Sequence, residues 1–573
     1  MNQIKRFPLF TISFMAVAII ALAMPVFALD GQTGIHDPST LMLCDGTWYT
    51  WGTGGSALES DDGWTWRAGT RCPASGAAPD VIHIGDKYFQ YISHGTFLWT
   101  KSLNPDSPDY GWTVEIQRNM WGYEYDGDFI NPIDTGCFLD PVTGKFWMTY
   151  GSYFGFTRVI ELDPETGLRV DDKYYDVAIN CEATTMIYND GYYYLLATHG
   201  TCCQGANSEY NIRVGRSKSP TGPFVDNTGM DMMMGGGKLV LGSRGCKIGA
   251  GHFGLIDEGQ DVQKFSLHWE ADLDKGGASV VDVVPLVWKD GWPIAGENLT
   301  EGTYEIESVR HGTALELAVE GRAVGREAGG GGRGGMGGMM GGGRGGAGMM
   351  GGGARGNRGG AGDGAGRGAR RGGAGAAVPG AGNFAGAMAP QAQGAAPGGF
   401  GGGAGAGMAR GGAGMGGGMM GGRGGGGGGM FGGSGGVVAD QNAADVMDSW
   451  PTGNIDARLA VYSCQAQQKW TISPAEGKGG YLGAPYFKII IAGTDRALAA
   501  SEEKELVTVP AYTGSEEQLW RIEQLKDGSY RIMPKSIPGT SEPMALSAIG
   551  FSSVTLEKFD PESDKQRWSF RQP

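Results

Sequence analysis

Five polar residues stand at similar places along the first half of the chain. They are Asp37 in "HDPS", Asp80 in "APDV", Asp134 in "NPIDTG", Glu182 in "NCEATT" and His252 in "GAGHFG". Taken singly, each reads as a turn or strand-end group. Taken together, three of the carboxyl groups make a set that could cleave a glycosidic bond. One ionised carboxylate activates a water, a second in its acid form protonates the leaving oxygen, and a third keeps the proton donor's pKa high. Well-separated base and acid leave room for the water, and the anomeric centre then inverts.

The elements that must position this set are legible as a recurring pattern. Within ten residues after each polar group comes a turn followed by aromatic and β-favouring residues. These runs are "DGTWYTWG" from Asp45, "GDKYFQYI" from Gly85, "TGKFWMTYG" from Thr143, "DGYYYLLAT" from Asp190 and "DVQKFSLHW" from Asp261. Turn residues leading into such runs predict hairpins, and helical periodicity is nearly absent. Five similar units predict a five-bladed β-propeller rather than a sandwich, with the start of each innermost strand facing one central channel.

Composition narrows the class. At 573 residues the chain is too long for one core. Lys5 and Arg6 precede an apolar run, and Val26-Phe27-Ala28 offers small residues for cleavage, so residues 1–28 are expected to be a signal peptide. A secreted or periplasmic location follows, with no membrane contact beyond that segment. A net charge of −15 argues against nucleic acid as a partner. The eight cysteines suit buried thiols or disulfides, and the adjacent Cys202 and Cys203 do not have zinc-site spacing.

From about residue 323 to 436 the chain is mostly Gly, Ala, Met and Arg, which predicts a disordered insertion. Around it, "GTYEIESVRHGTALEL", "YFKIIIAGTDRALAAS" and "GSYRIMPKSIPGTSEPMALS" are alike. Three Gln-x-Trp pairs accompany them: Gln468/Trp470, Gln518/Trp520 and Gln566/Trp568. Residues 299–573 therefore resemble a ricin-type β-trefoil with the glycine tract inserted in its first copy. The fold class is all-β, a propeller over residues 29–298 followed by that trefoil. Sugar-binding copies of such trefoils usually carry an aspartate where this chain has Glu316, Ala499 and Ser547, so a purely structural trefoil is the competing expectation.

Residues of about 30 to 295 resemble the family 43 glycoside hydrolases, and within them the arabinan endo-1,5-α-L-arabinosidases. The resemblance is carried by "GIHDPS", "INPIDTGCFLDPVTGKFWMTYGS", "CEATTMIYNDGYYYLLATHGTCC", "YNIRVGRSKSPTGPF" and "GHFGL". It implies that Asp37 is the general base, Glu182 the general acid and Asp134 the pKa modulator. It also implies that His252 binds a metal near the axis, often calcium through waters. Asp80, Phe97 and Phe154 are candidate substrate-binding residues. The implied substrate is a plant cell-wall pentose polymer, with an exo-acting arabinofuranosidase, a β-xylosidase or a non-catalytic polysaccharide-binding protein as alternatives. Ala77, Ala183-Thr184 and "GSYFGFTRV" depart from the family pattern, and all three fall where subsites are expected.

Overall fold

The computed structural model describes residues 29–93, 96–116, 131–153, 155–319, 322–323, 443 and 446–573. The expected signal peptide, Phe154 and nearly all of the glycine tract lie outside the described residues. No α-helix occurs among the described residues, only strands and short 3-10 turns.

Five sheets, antiparallel except where Asp30–Gly31 pairs parallel with Thr65–Ala68 in the first, follow one another along residues 30–295. The aromatic runs seen in the sequence form the second strand of each sheet: Thr47–Gly52, Lys87–Ile92, Phe146–Tyr150, Tyr192–His199 and Val262–Asp272. The local reason is turn chemistry. Asp45-Gly46, Asp190-Gly191 and Asp290-Gly291 have positive φ at both central residues, as a type I′ hairpin turn requires.

Apolar side chains seal each pair of neighbouring blades. Trp51 and Tyr88 pack between the first and second, and Phe89, Phe97 and Phe146 between the second and third. Trp147 and Leu195 join the third to the fourth, and Tyr194 and Trp269 the fourth to the fifth. The ring closes where Leu41, Leu58 and Trp66 meet Ile256 and Val281. There Ile35 N–H donates to the Ser279 carbonyl at 3.2 Å, and Val281 N–H to the Thr33 carbonyl at 2.9 Å. Blade-to-blade approach near the axis is close enough to demand glycine. A Cβ at Gly136 would lie 1.8 Å from the Thr184 carbonyl oxygen.

The C-terminal lobe repeats one device three times. Trp470, Trp520 and Trp568 are fully buried, and their indole N–H groups donate to the carbonyls of Leu315, Leu498 and Leu546 at 3.0, 3.1 and 2.9 Å. The amide oxygens of Gln468, Gln518 and Gln566 accept the backbone N–H of Ser463, Thr513 and Asp560. The Gln-x-Trp spacing thus fixes a turn and a core anchor. Glu316 is wholly buried, with Arg458 and Gln468 on its two oxygens.

The lobe packs on the propeller as part of one compact unit. Lys264 of the fifth blade reaches the Leu482 carbonyl at 2.6 Å, Glu523 at 3.2 Å and Glu258 at 2.7 Å. Arg521 and Arg531 complete a buried network on Glu523, at 2.5 and 2.7 Å.

Candidate active site

Each blade begins with one non-glycine residue in the left-handed region. These are Asp37, Ala78, Asp134, Ala183 and His252, with φ of 51°, 47°, 57°, 47° and 48°. Such a conformation costs about 1–2 kcal/mol for a residue with a Cβ, so its recurrence at five blade entrances marks a shared constraint. Aligned on this residue, Asp37, Asp134 and His252 are equivalent. Glu182 lies one position earlier and Asp80 two positions later. The sequence pattern had treated all five polar residues as equivalent, and this offset separates their roles.

Asp37, Asp134, Glu182 and His252 come together. Asp37 Oδ2 accepts from the Thr53 hydroxyl at 2.6 Å and lies 2.9 Å from His36 Nδ1. Its Oδ1 has imidazole nitrogens at longer range, His252 Nδ1 at 3.6 Å and His268 Nδ1 at 3.7 Å. Burial alone would raise the Asp37 pKa. The hydrogen bond from His36 and the nearby His252 and His268 outweigh it and hold the carboxyl well below its usual range. An ionised oxygen at the channel is what activating a water requires.

Glu182, the first residue of the strand Glu182–Asn189, has the opposite environment. Its Oε1 accepts from the Tyr210 hydroxyl. Burial is the main cause of a pKa raised to about 7, with the Asp37 charge adding to it and the Tyr210 bond opposing it. Asp134 is only 6% exposed and is also pushed well up, first by burial and then by the negative charges of Glu182 and Asp37. A backbone hydrogen bond from Ala183 opposes that rise and ties Asp134 to the residue after the acid. The site thus holds one carboxylate ionised and another poised as an acid near neutrality.

His252 is buried and its imidazole is pushed down to about 4, chiefly by burial, so the ring is neutral. A neutral ring can ligate a cation. Yet His252 belongs to no cluster of three ligand atoms close enough to share one ion among the described residues. Calcium takes six to eight oxygens, so these residues fit only a cation that keeps most of its shell as water.

Two expected substrate residues have other places. Phe97 is wholly buried, stacked on Tyr91 at 5.6 Å in the core between the second and third blades, and presents no face to a sugar. Asp80 is 4% exposed and binds the framework, its oxygens accepting the backbone N–H of Thr40 at 3.0 Å and Cys137 at 2.8 Å. It joins the first three blades beside the axis. Cys202 and Cys203 form a disulfide beside His36 and Glu270. Thr53, Tyr210, His268 and Glu270 were not singled out in the sequence. Tyr210 opens "YNIRVGRSKSPTGPF" and His268 lies in "DVQKFSLHW", but only the tertiary fold brings them to Glu182 and Asp37.

Residues 46–293 match the profile of the glycosyl hydrolases family 43. The chain is 30% identical over 321 residues to an extracellular exo-α-(1→5)-L-arabinofuranosidase of Cellvibrio japonicus, covering 46% of this chain and 87% of that protein. It is 28% identical over 329 residues to the extracellular endo-α-(1→5)-L-arabinanase 1 of Bacillus subtilis, covering 50% of this chain and 97% of the relative. Among solved structures, an α-L-arabinanase of Cellvibrio cellulosa is similar at 27% identity and a TM-score of 0.42, over 46% of this chain and 96% of that one.

Proposed function

The chain belongs to glycosyl hydrolase family 43, and from that premise we propose that it is a secreted, inverting enzyme that cleaves internal α-1,5 linkages of arabinan. The observation that carries this is the division of labour at the axis. Asp37 is held ionised by His36 and Thr53, while Glu182 is raised to about 7. Asp37 then takes a proton from water as that water attacks the anomeric carbon, and Glu182 gives its proton to the departing oxygen. Asp134, itself buried and pushed up by the charges of Glu182 and Asp37, is assigned to orient the acid through its hydrogen bond from Ala183.

The arabinan assignment is supported by the relatives' names, and their extracellular location supports secretion after cleavage near Ala28. An exo-acting enzyme is the second reading, because one relative is named as exo-acting and the other as endo-acting. Purified protein on linear 1,5-arabinan releases a ladder of oligosaccharides if the action is endo, and arabinose alone if it is exo. Inert protein on linear arabinan, branched arabinan and xylan alike sinks the reading. Asp37→Asn is expected to lower the rate by about 10² or more, as loss of a positioned base does.

A largely hydrated cation at His252 is part of the proposal, supported by its neutral ring. Activity unchanged by exhaustive chelation would remove it. The C-terminal lobe is read as a β-trefoil, supported by its three equivalent indole bonds. The burial of Glu316 supports a structural first copy over a sugar-binding one.

A further inference from the structure

Glu270 lies near the axis and transfers no proton in the acid–base scheme. It lies in the second strand of the fifth blade and is 4% exposed. Its Oε1 sits 3.1 Å from His36 Nε2 and 3.3 Å from His268 Nε2. Its Oε2 accepts the Cys203 backbone N–H at 2.9 Å. Both histidines in turn hold Asp37, but by different atoms. His36 Nδ1 meets the Asp37 carboxylate at 2.9 Å, and His268 Nδ1 accepts the Asp37 backbone N–H at 2.7 Å.

We propose that Glu270 is a positioning residue that fixes Asp37 through His36 and His268 at once. The proposal rests on Asp37 acting as the base. Geometry alone assigns the protons. Because His268 Nδ1 accepts from Asp37, its ring proton is on Nε2, the nitrogen that faces Glu270. His36 has a carboxylate on each ring nitrogen and donates to both only as imidazolium. Burial would lower its pKa, yet the bonds to Asp37 and Glu270 raise it to about 10. Glu270 therefore sets the ring state of His36 and faces the protonated nitrogen of His268. Together they fix Asp37's strained backbone, φ 51°, and the direction of its carboxylate. The Cys202–Cys203 loop anchors Glu270 from the far side, giving that disulfide a structural link to the base.

The test compares Glu270→Gln, Glu270→Ala and Asp37→Asn in the full chain on linear arabinan. Glu270→Gln is expected to lower kcat by about 10- to 100-fold, the usual loss when a group that orients a reacting one is removed. KM and the unfolding midpoint should stay near wild type. The low-field NMR signal of the His36 Nε2 proton should vanish while that of Nδ1 remains. Added formate should restore part of the kcat of Glu270→Ala and leave wild type unchanged. Wild-type kcat in Glu270→Gln overturns the proposal. So does a loss that tracks only a lowered midpoint, or one formate does not touch. Full activity in Asp37→Asn would instead overturn the base assignment, so the two failures are distinguishable.

Discussion

Two buried clusters of charge sit in the fifth blade's neighbourhood, and they are built on opposite terms. At the lobe interface Glu523 faces Lys264, Arg521 and Arg531, and it is held well below the usual carboxylate range despite its burial. At the channel Glu182 and Asp134 are buried beside other carboxylates, and burial with those charges outweighs the opposing pull of His36 on Asp134, so both are pushed up. The first cluster gives each charge an opposite partner and joins two lobes. The second leaves charge unsatisfied and adds left-handed backbone at Asp37, Asp134 and His252. Burial is common to both, so burial does not mark a functional site. The sign of the neighbours does.

The contrast is broken most directly by removing one acid from each cluster. Glu182→Gln is expected to lower kcat/KM on arabinan by about 10²–10⁴, the contribution of a positioned general acid, with no loss in unfolding midpoint. Glu523→Gln should do the reverse. It leaves Lys264, Arg521 and Arg531 each one carboxylate short and is expected to cost about 3–5 kcal/mol in denaturant titration, with kcat of the folded protein unchanged. A smaller effect separates Phe97 from the site. Phe97→Leu opens space between two blades and should destabilise by about 1 kcal/mol, while KM for arabinan is unaffected. A raised KM there would return Phe97 to the substrate.

Acidity sharpens the same comparison. Glu182 must be protonated to act, so kcat/KM should fall as pH rises through about 7, and that limb should be absent from the residual rate of Glu182→Gln. Stability is expected to move in opposite senses at the two clusters. The raised Glu182 binds its proton more tightly when folded, so its contribution weakens as pH rises from about 4.5 towards 7. The depressed Glu523 contributes fully above its unfolded pKa, and that contribution is lost as pH falls below it. Towards pH 8 the unfolding midpoint of Glu182→Gln should therefore rise above wild type while that of Glu523→Gln lies below it, and both differences should shrink as pH falls.

Much of the site was legible because turns and strands have local signatures. Asp45-Gly46 and Asp190-Gly191 announce hairpins, alternation announces strands, and recurrence announces blades. Asp37, Asp134, Glu182 and His252 were found by their place before those hairpins. That place was coarse by one or two residues. Asp80, two residues past the left-handed turn, binds the backbone of blades one and three instead of facing the channel. Phe97 reads as a surface aromatic until Phe146 of the next blade covers it.

The sequence by itself determined the all-β class, the blade repeat, the Gln-x-Trp anchors and the residue types able to do acid–base chemistry. All of these depend on neighbours close along the chain. Only the tertiary structure decided which carboxyl is ionised and which is acidic. Those states depend on burial and on groups far away in sequence: His252 and His268 for Asp37, and Tyr210 and Asp37 for Glu182.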